Sequence, residues 1–458
     1  MARTSDVATA KEPTRDLTKG SIVRNLLSLS WPMVVTEGLY TVTIAEMIWI
    51  GRIGPASVAG VGVAYIILML VMTVQIGLSV AGRAMVARFI GASDEARANH
   101  VARQALILSA TYGLLMMVLG LTLSAPLMGL FRLESDVVSE GATYLKLFSL
   151  AWLPVSFWLM AYGLIQASGD AVGPMKIEAV MRLTHLVLTP FLVLGWWVFP
   201  RLGVSGAAIS SVVIETLGTS LAMWYMLSGK TRLRLTFKDL RPDFHMMWRI
   251  VRIGLPACVM NLQSSVSGII MTGLMVPFGT MAVAGHSLIN RIQMIVFLPS
   301  YGLSLGAGVL TGQNLGAGKP ARAERNGWIA AAIAGGFTAT AAFVILLWAE
   351  TFVGVFSSDA VLVRTTGSFL RIAAAGYLVS GLSIALQQSI SGAGDTIVPM
   401  LVGILAVWGL QVPLAFILPK TTDWGVDAVR WAMVAPVIVS ALVYTAYYRS
   451  GRWKRKRV

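Results

Sequence analysis

Three observations predict an all-α integral membrane protein with twelve transmembrane helices in two homologous six-helix bundles. Of its 458 residues, 56% are hydrophobic and only 12% charged, with a mean hydropathy of +0.74; an average soluble chain carries about twice that charge. The apolar runs are about 20 residues long, enough to cross ~30 Å of hydrocarbon as helices, and they lack the ten-residue alternation of barrel strands. Finally, the second half of the chain repeats landmarks of the first.

The elements follow in order. Residues 1–21 read as an N-terminal tail: no apolar run with a cleavage site precedes the first span, so no signal peptide is expected. Spans are placed near 28–50, 57–82, 104–124, 141–167, 177–199 and 204–228, making a first bundle over 22–228. A basic linker, 229–252, leads to spans near 253–275, 281–312, 327–349, 363–390, 397–418 and 429–448, making a second bundle over 253–448, and 449–458 is a basic tail. Most of the 36 Lys and Arg fall in the two tails, the linker and the other even-to-odd loops. By the positive-inside rule these segments, and therefore both termini, are cytoplasmic, as in a plasma membrane or bacterial inner membrane. The formal charge of +15 thus marks topology, not nucleic-acid binding, and the tail RSGRWKRKRV reads as a stop and an anionic-lipid contact.

The repeat is visible in ASGDAVGPM at 167–175 and GAGDTIVPM at 392–400. Gly91 with Gly316, Arg97 with Arg322, Gly129 with Gly354 and Trp152 with Tyr377 keep the same offset of 225 residues, which slips to 224 at Pro32 and Pro256. Six spans per half is an even number, so both halves enter from one side and are related by a pseudo-twofold along the membrane normal. Such a duplication sets a cavity between two bundles that can rock, the plan of a secondary transporter; without a Walker A loop, ATP is not its direct energy source. In the repeated motif, Gly169 and Gly394 suit a tight turn, Asp170 and Asp395 can cap the next helix, and Pro174 and Pro399 suit a first helical turn. The same residues would also serve as paired hinges.

FLPSYGLSLGAGVLTGQNLGAGKPARAERNG at 297–327, the repeated GAGDTIVPM and AEMIWIGRIGPASVAGVGVA at 45–64 resemble the multidrug and toxic compound extrusion family over essentially the whole chain. The resemblance implies a cation-coupled antiporter, with protons or sodium ions moving in while cationic or amphipathic drugs or toxins move out. The wider superfamily implies the alternative of a lipid or lipid-linked oligosaccharide flippase. The major facilitator signature between spans 2 and 3 is missing from GRAMVARFIGASDEARANH. The expected unit is a monomer whose partners are small molecules and membrane lipids. No cofactor is expected beyond the coupling ion, and four His with the single Cys258 suggest neither a metal site nor an enzyme.

An ionisable side chain within a membrane is costly, so each one calls for a reason. The acids placed inside spans are Glu37, Glu46, Glu178 and Glu215, all in the first bundle. The resemblance puts Glu46 where relatives carry Asp and makes it the leading cation-coupling residue. Glu37 lies nine residues earlier, roughly opposite on a straight helix, so both face one cavity only if span 1 bends, and Pro32 and Gly38 would allow that. In span 5, Glu178, Arg182, His185 and Thr189 share one face. Glu178 and Arg182 suit an i,i+4 ion pair near the cytoplasmic surface, and His185 is an imidazole that can titrate near neutrality. The resemblance aligns His185 and Thr189 with an Asn and an Asp, and Glu215 with a Gln. Glu215 falls near the midplane, as a second proton carrier or a partner for His185 or Arg182. In the second bundle Asn261, Gln263 and Ser264 are expected to line the cavity, and His286 to sit near the outer entrance of span 8.

Overall fold

The structure is a computed structural model that describes residues 16–41, 45–234 and 241–456. Among these, eleven helical segments are long and apolar enough to cross a membrane. The first half contains α1 (Ile22–Tyr40), α2 (Ala45–Gly51), α3 (Pro55–Gly91), α4 (Glu95–Gly129), α5 (Ser135–Phe148), α6 (Trp152–Ala167), α7 (Val172–Leu194) and α8 (Val204–Leu227). The second contains α9 (Phe244–Met275), α10 (Thr280–Gly316), α11 (Pro320–Gly354), α12 (Ala360–Gly392), α13 (Ile397–Ile404), α14 (Val412–Thr421) and α15 (Val426–Arg449). A wide helical turn over Leu405–Gln411 joins α13 to α14, and a 3₁₀ turn over Ser149–Ala151 joins α5 to α6. α9 starts at Phe244, inside the stretch read as linker, because the Asp243 carboxylate accepts the Met246 amide and caps it.

The first span is described as α1 and α2, and residues 42–44 between them lie outside the described residues. The Thr41 hydroxyl donates to the Gly38 carbonyl at 2.6 Å. Pro32 and Gly38, the positions expected to bend the span, both lie inside α1 without ending it.

Where the halves meet, the repeated glycines explain themselves. A Cβ on Gly91 would collide with the Gln313 carbonyl, and one on Gly316 with the Arg88 carbonyl. Arg88 and Gln313 are themselves repeat mates, so α3 and α10 cross backbone to backbone about the pseudo-twofold. The same two side chains reach the repeated turns: Arg88 donates to the Ala393 carbonyl, and Gln313 to that of Ala167 at 2.8 Å. Each turn needs its glycine, since Gly169 has φ +100° and Gly394 φ +88°. In the first, Asp170 accepts the Gly173 amide at 3.0 Å and the Tyr225 hydroxyl at 2.6 Å; in the second, Asp395 accepts the Tyr447 hydroxyl. The motif is thus a latch in which each half's turn is gripped by the other half.

Hydrophobic burial follows the same division. One core runs through both halves at the face bearing the termini, from Leu26, Met85 and Leu164 to Leu310, Leu386 and Trp453. At the opposite face each half has cores of its own, around Ile50 and Trp152 in the first and around Phe369 and Met271 in the second. The halves are joined at one face and packed separately at the other.

The basic tail also packs against the rest of the chain. Trp453 is buried and stacks on Tyr448 with ring centroids 4.5 Å apart, Lys454 pairs with Glu324 at 2.6 Å, and Lys456 approaches Asp395 at 3.3 Å. The Lys456 carbonyl accepts from Arg88 of the first half. Arg449, Arg452 and Arg455 of the tail are exposed.

Candidate functional site

Glu178, Arg182 and His185 of the four-residue stripe of α7 build one wall of a cavity of about 310 Å³ in the first half. Spacings of 4, 3 and 4 residues keep Glu178, Arg182, His185 and Thr189 on one helical face, and all four are buried. Glu178 accepts the Arg182 Nε–H at 2.6 Å and the Trp158 indole N–H at 3.2 Å. Arg182 also stands 3.6 Å from Glu215 of α8, and its guanidinium lies over the Tyr40 ring, 5.2 Å from the centroid. The i,i+4 pair expected near a surface is therefore a buried wall of the cavity, with a second acid facing the same cation. A buried cation between two carboxylates and an aromatic face is well compensated; removing either kind of partner exposes the uncompensated charge.

Glu46 enters from the first turn of α2 and is 8% exposed. Its Oε1 accepts the Tyr144 hydroxyl at 3.0 Å, and its Oε2 lies 3.6 Å from Nε2 of His185. That separation is too long for a hydrogen bond, and the buried Nε2 has no other partner. Glu37 lines the same cavity from α1, as do Arg83 of α3 and, from the second half, Tyr301 and Leu305 of α10. Glu37 of α1 and Glu46 of α2 therefore line one cavity, the arrangement expected only if span 1 bends.

Glu37, Glu46, His185 and Glu215 thus share one cavity, while Thr189 stands apart. Its hydroxyl donates to the His185 carbonyl at 2.7 Å and meets Ser210 at 3.1 Å, so it ties α7 to α8. Asn261, Gln263 and Ser264 do not line this cavity. Asn261 donates back to the Ala257 carbonyl at 3.0 Å, Gln263 is buried, and Ser264 points outward and is exposed. His286 lies in the second turn of α10, near the start of that span as expected, where it is 1% exposed and its Nδ1 lies 2.8 Å from Arg430 of α15. Sequence reasoning passed over Tyr144, Trp158 and Arg83. They belong to other helices, and only tertiary structure brings them to the acids.

The MatE family model matches residues 32–191 and again 256–417, one copy in each half. Among curated proteins, the chain is 28% identical to the "Probable multidrug resistance protein NorM" of Deinococcus radiodurans, covering 94% of this chain and 96% of that protein. It is 25% identical to the "Probable multidrug resistance protein YoeA" of Bacillus subtilis, covering 98% of both. A solved structure described as the outward-facing conformation of a multidrug resistance MATE family transporter superposes with a TM-score of 0.87 at 24% identity, over 96% of this chain and 98% of that one.

Proposed function

The chain belongs to the MatE family of multidrug and toxic compound extrusion transporters, and from that premise we propose that it exports cationic or amphipathic small molecules, drugs among them, in exchange for protons. The observation that carries the proposal is the convergence of Glu46, Tyr144 and His185 at a buried point of the cavity wall. A carboxylate held by a tyrosine hydroxyl and facing an unpartnered imidazole nitrogen can take up a proton within the membrane. A proton on Oε2 turns that oxygen into a donor toward His185, which draws α2 against α7. Without it, the carboxylate is an acceptor for a substrate cation, as is Glu215 whenever Arg182 leaves it.

A proton and a cationic substrate then compete for the same acids, and such competition is what couples their movements. With the basic tails and linker in the cytoplasm, the shared core and the Gly-Asp latch close the cytoplasmic face, and the separately packed face is the outer one. This conformation would release substrate outward and accept protons from outside. One chain holds the whole cavity, so we take the monomer as the transporting unit.

Dye efflux from proteoliposomes tests the coupling ion. A pH gradient without sodium should drive efflux. Efflux that needs a sodium gradient and stops on its removal would overturn the proton assignment while leaving the export reading intact.

A further inference from the structure

Arg83 is a cavity residue that the coupling scheme does not use. It projects from α3 eight residues before the helix ends at Gly91, and so about 12 Å from the closed face. It is half-buried and lines both the main cavity and a small adjoining pocket of about 10 Å³ that reaches Gln388, Ser391 and Gly392 of the latch. Arg182, the other guanidinium in the cavity, is held by Glu178 and Glu215. Among the described residues, by contrast, no carboxylate lies within the 4.0 Å ion-pair limit of Arg83. Its surroundings are Glu37, Tyr162 and Tyr301, each within electrostatic range of it. The Tyr162 hydroxyl is buried and has no hydrogen-bond partner.

A guanidinium turned into an enclosed space with no carboxylate in ion-pair contact, beside an unsatisfied tyrosine hydroxyl, leaves donors that a ligand can satisfy. The planar fork of arginine matches a carboxylate with two parallel hydrogen bonds. The acids Glu46 and Glu215 line the same cavity from α2 and α8 and suit the amine end of a substrate. We infer that Arg83, with the Tyr162 hydroxyl, anchors an acidic group of the substrate, so that the cavity selects amphipathic compounds carrying a carboxylate as well as a cationic centre. The inference rests on the export reading and adds a specificity-determining residue to it. Glu37, the carboxylate whose charge acts on Arg83, competes with the ligand for it, while Glu178 lies within electrostatic range of Tyr162.

The test uses the full chain in detergent micelles and a matched pair of ligands, a rhodamine dye with a free carboxylate and the methyl ester of the same dye. Binding is followed by fluorescence polarisation. Wild type should bind the carboxylate dye at least as tightly as the ester. Arg83→Gln should weaken the carboxylate dye by about 10- to 100-fold, the loss expected for hydrogen bonds to a charged group, and leave the ester within about twofold. Arg83→Lys should fall between. Glu37→Gln, which removes the competing acid, should tighten the carboxylate dye and not the ester, and it keeps the inference testable if the Arg83 variants fail to fold. Equal losses for both dyes in Arg83→Gln, or no loss, would overturn it. Wild type that binds only the ester would refute the anchor and spare the export reading, whereas binding of neither dye would count against both.

Discussion

The two halves of this protein share one plan and differ in what they bury. Both carry the Gly-Asp turn, the close glycine at the crossing of α3 and α10, and a gripping side chain from the partner half. Yet at the 225-residue offset the charged stripe of α7 becomes apolar: Glu178, Arg182, His185 and Thr189 correspond to Gly403, Val407, Leu410 and Leu414. Gly203 and Gly425, matched helix starts with φ of +59° and +55°, shift the offset to 222 and pair Glu215 with Val437. Glu37 corresponds to Asn261. The second half therefore serves as an internal control. It forms the same six-span bundle without these ionisable groups, so folding does not require them, and their desolvation cost must be met by some other benefit. Among the described residues its buried charges are Asp395, in the repeated turn, and Arg430 of α15, with His286 of α10 beside it.

The comparison breaks most visibly at Arg182. Arg182→Ala would leave Glu178 and Glu215 facing each other without their cation, a loss of about 3–5 kcal/mol for a broken buried pair. Val407→Ala, its counterpart, should cost about 1 kcal/mol or less. Thermal unfolding in micelles checks both, and similar melting shifts would mean that the charged stripe is not the special feature of the first half.

The spans, the repeat and the acids on α1, α2, α7 and α8 were legible because hydropathy, a constant offset and helical spacing are one-dimensional signals. What joins those acids is not. Tyr144 reaches Glu46 across 98 residues of chain, and Arg430 reaches His286 across 144. Polarity in a membrane helix does not by itself say which space a side chain faces, and Asn261, Gln263 and Ser264 do not line this cavity. Asn261 instead satisfies itself on its own helix.

A smaller effect sharpens the one feature the halves share. Gly91→Leu sets a side chain against the Gln313 backbone, and overpacking of that kind costs about 1–3 kcal/mol. The cost falls on the conformation in which the latch is closed. In a Cys258→Ala background, labelling of Ser391→Cys by an impermeant maleimide from the termini-bearing face should rise roughly tenfold, and likewise for Gly316→Leu. Unchanged labelling would mean that the crossing does not hold the face shut.

The smallest effect lies in the linker, where Asp243 caps α9 and meets His100 of α4 at 2.9 Å. The Met246 amide, and then His100, hold its carboxyl below the usual carboxylate range. A lowered folded-state value stabilises at pH above the unfolded value and loses that contribution as pH falls below about 4. Wild type should therefore show a slightly steeper loss of melting temperature there than Asp243→Asn, and parallel curves would remove the cap from the account.

The central claim is that coupling resides in the first half, at Glu46. Dye affinity of the purified protein, measured between about pH 5 and pH 9, tests it most directly, because protons that compete with the dye must weaken its binding as pH falls, by the linkage between the two ligands. Wild type should show that weakening. Glu46→Gln should remain folded and lose most of the slope, while His286→Ala, in the control half, should keep it. A slope unchanged in Glu46→Gln and abolished in His286→Ala would contradict the account and place the coupling in the half that carries no acid in its membrane core.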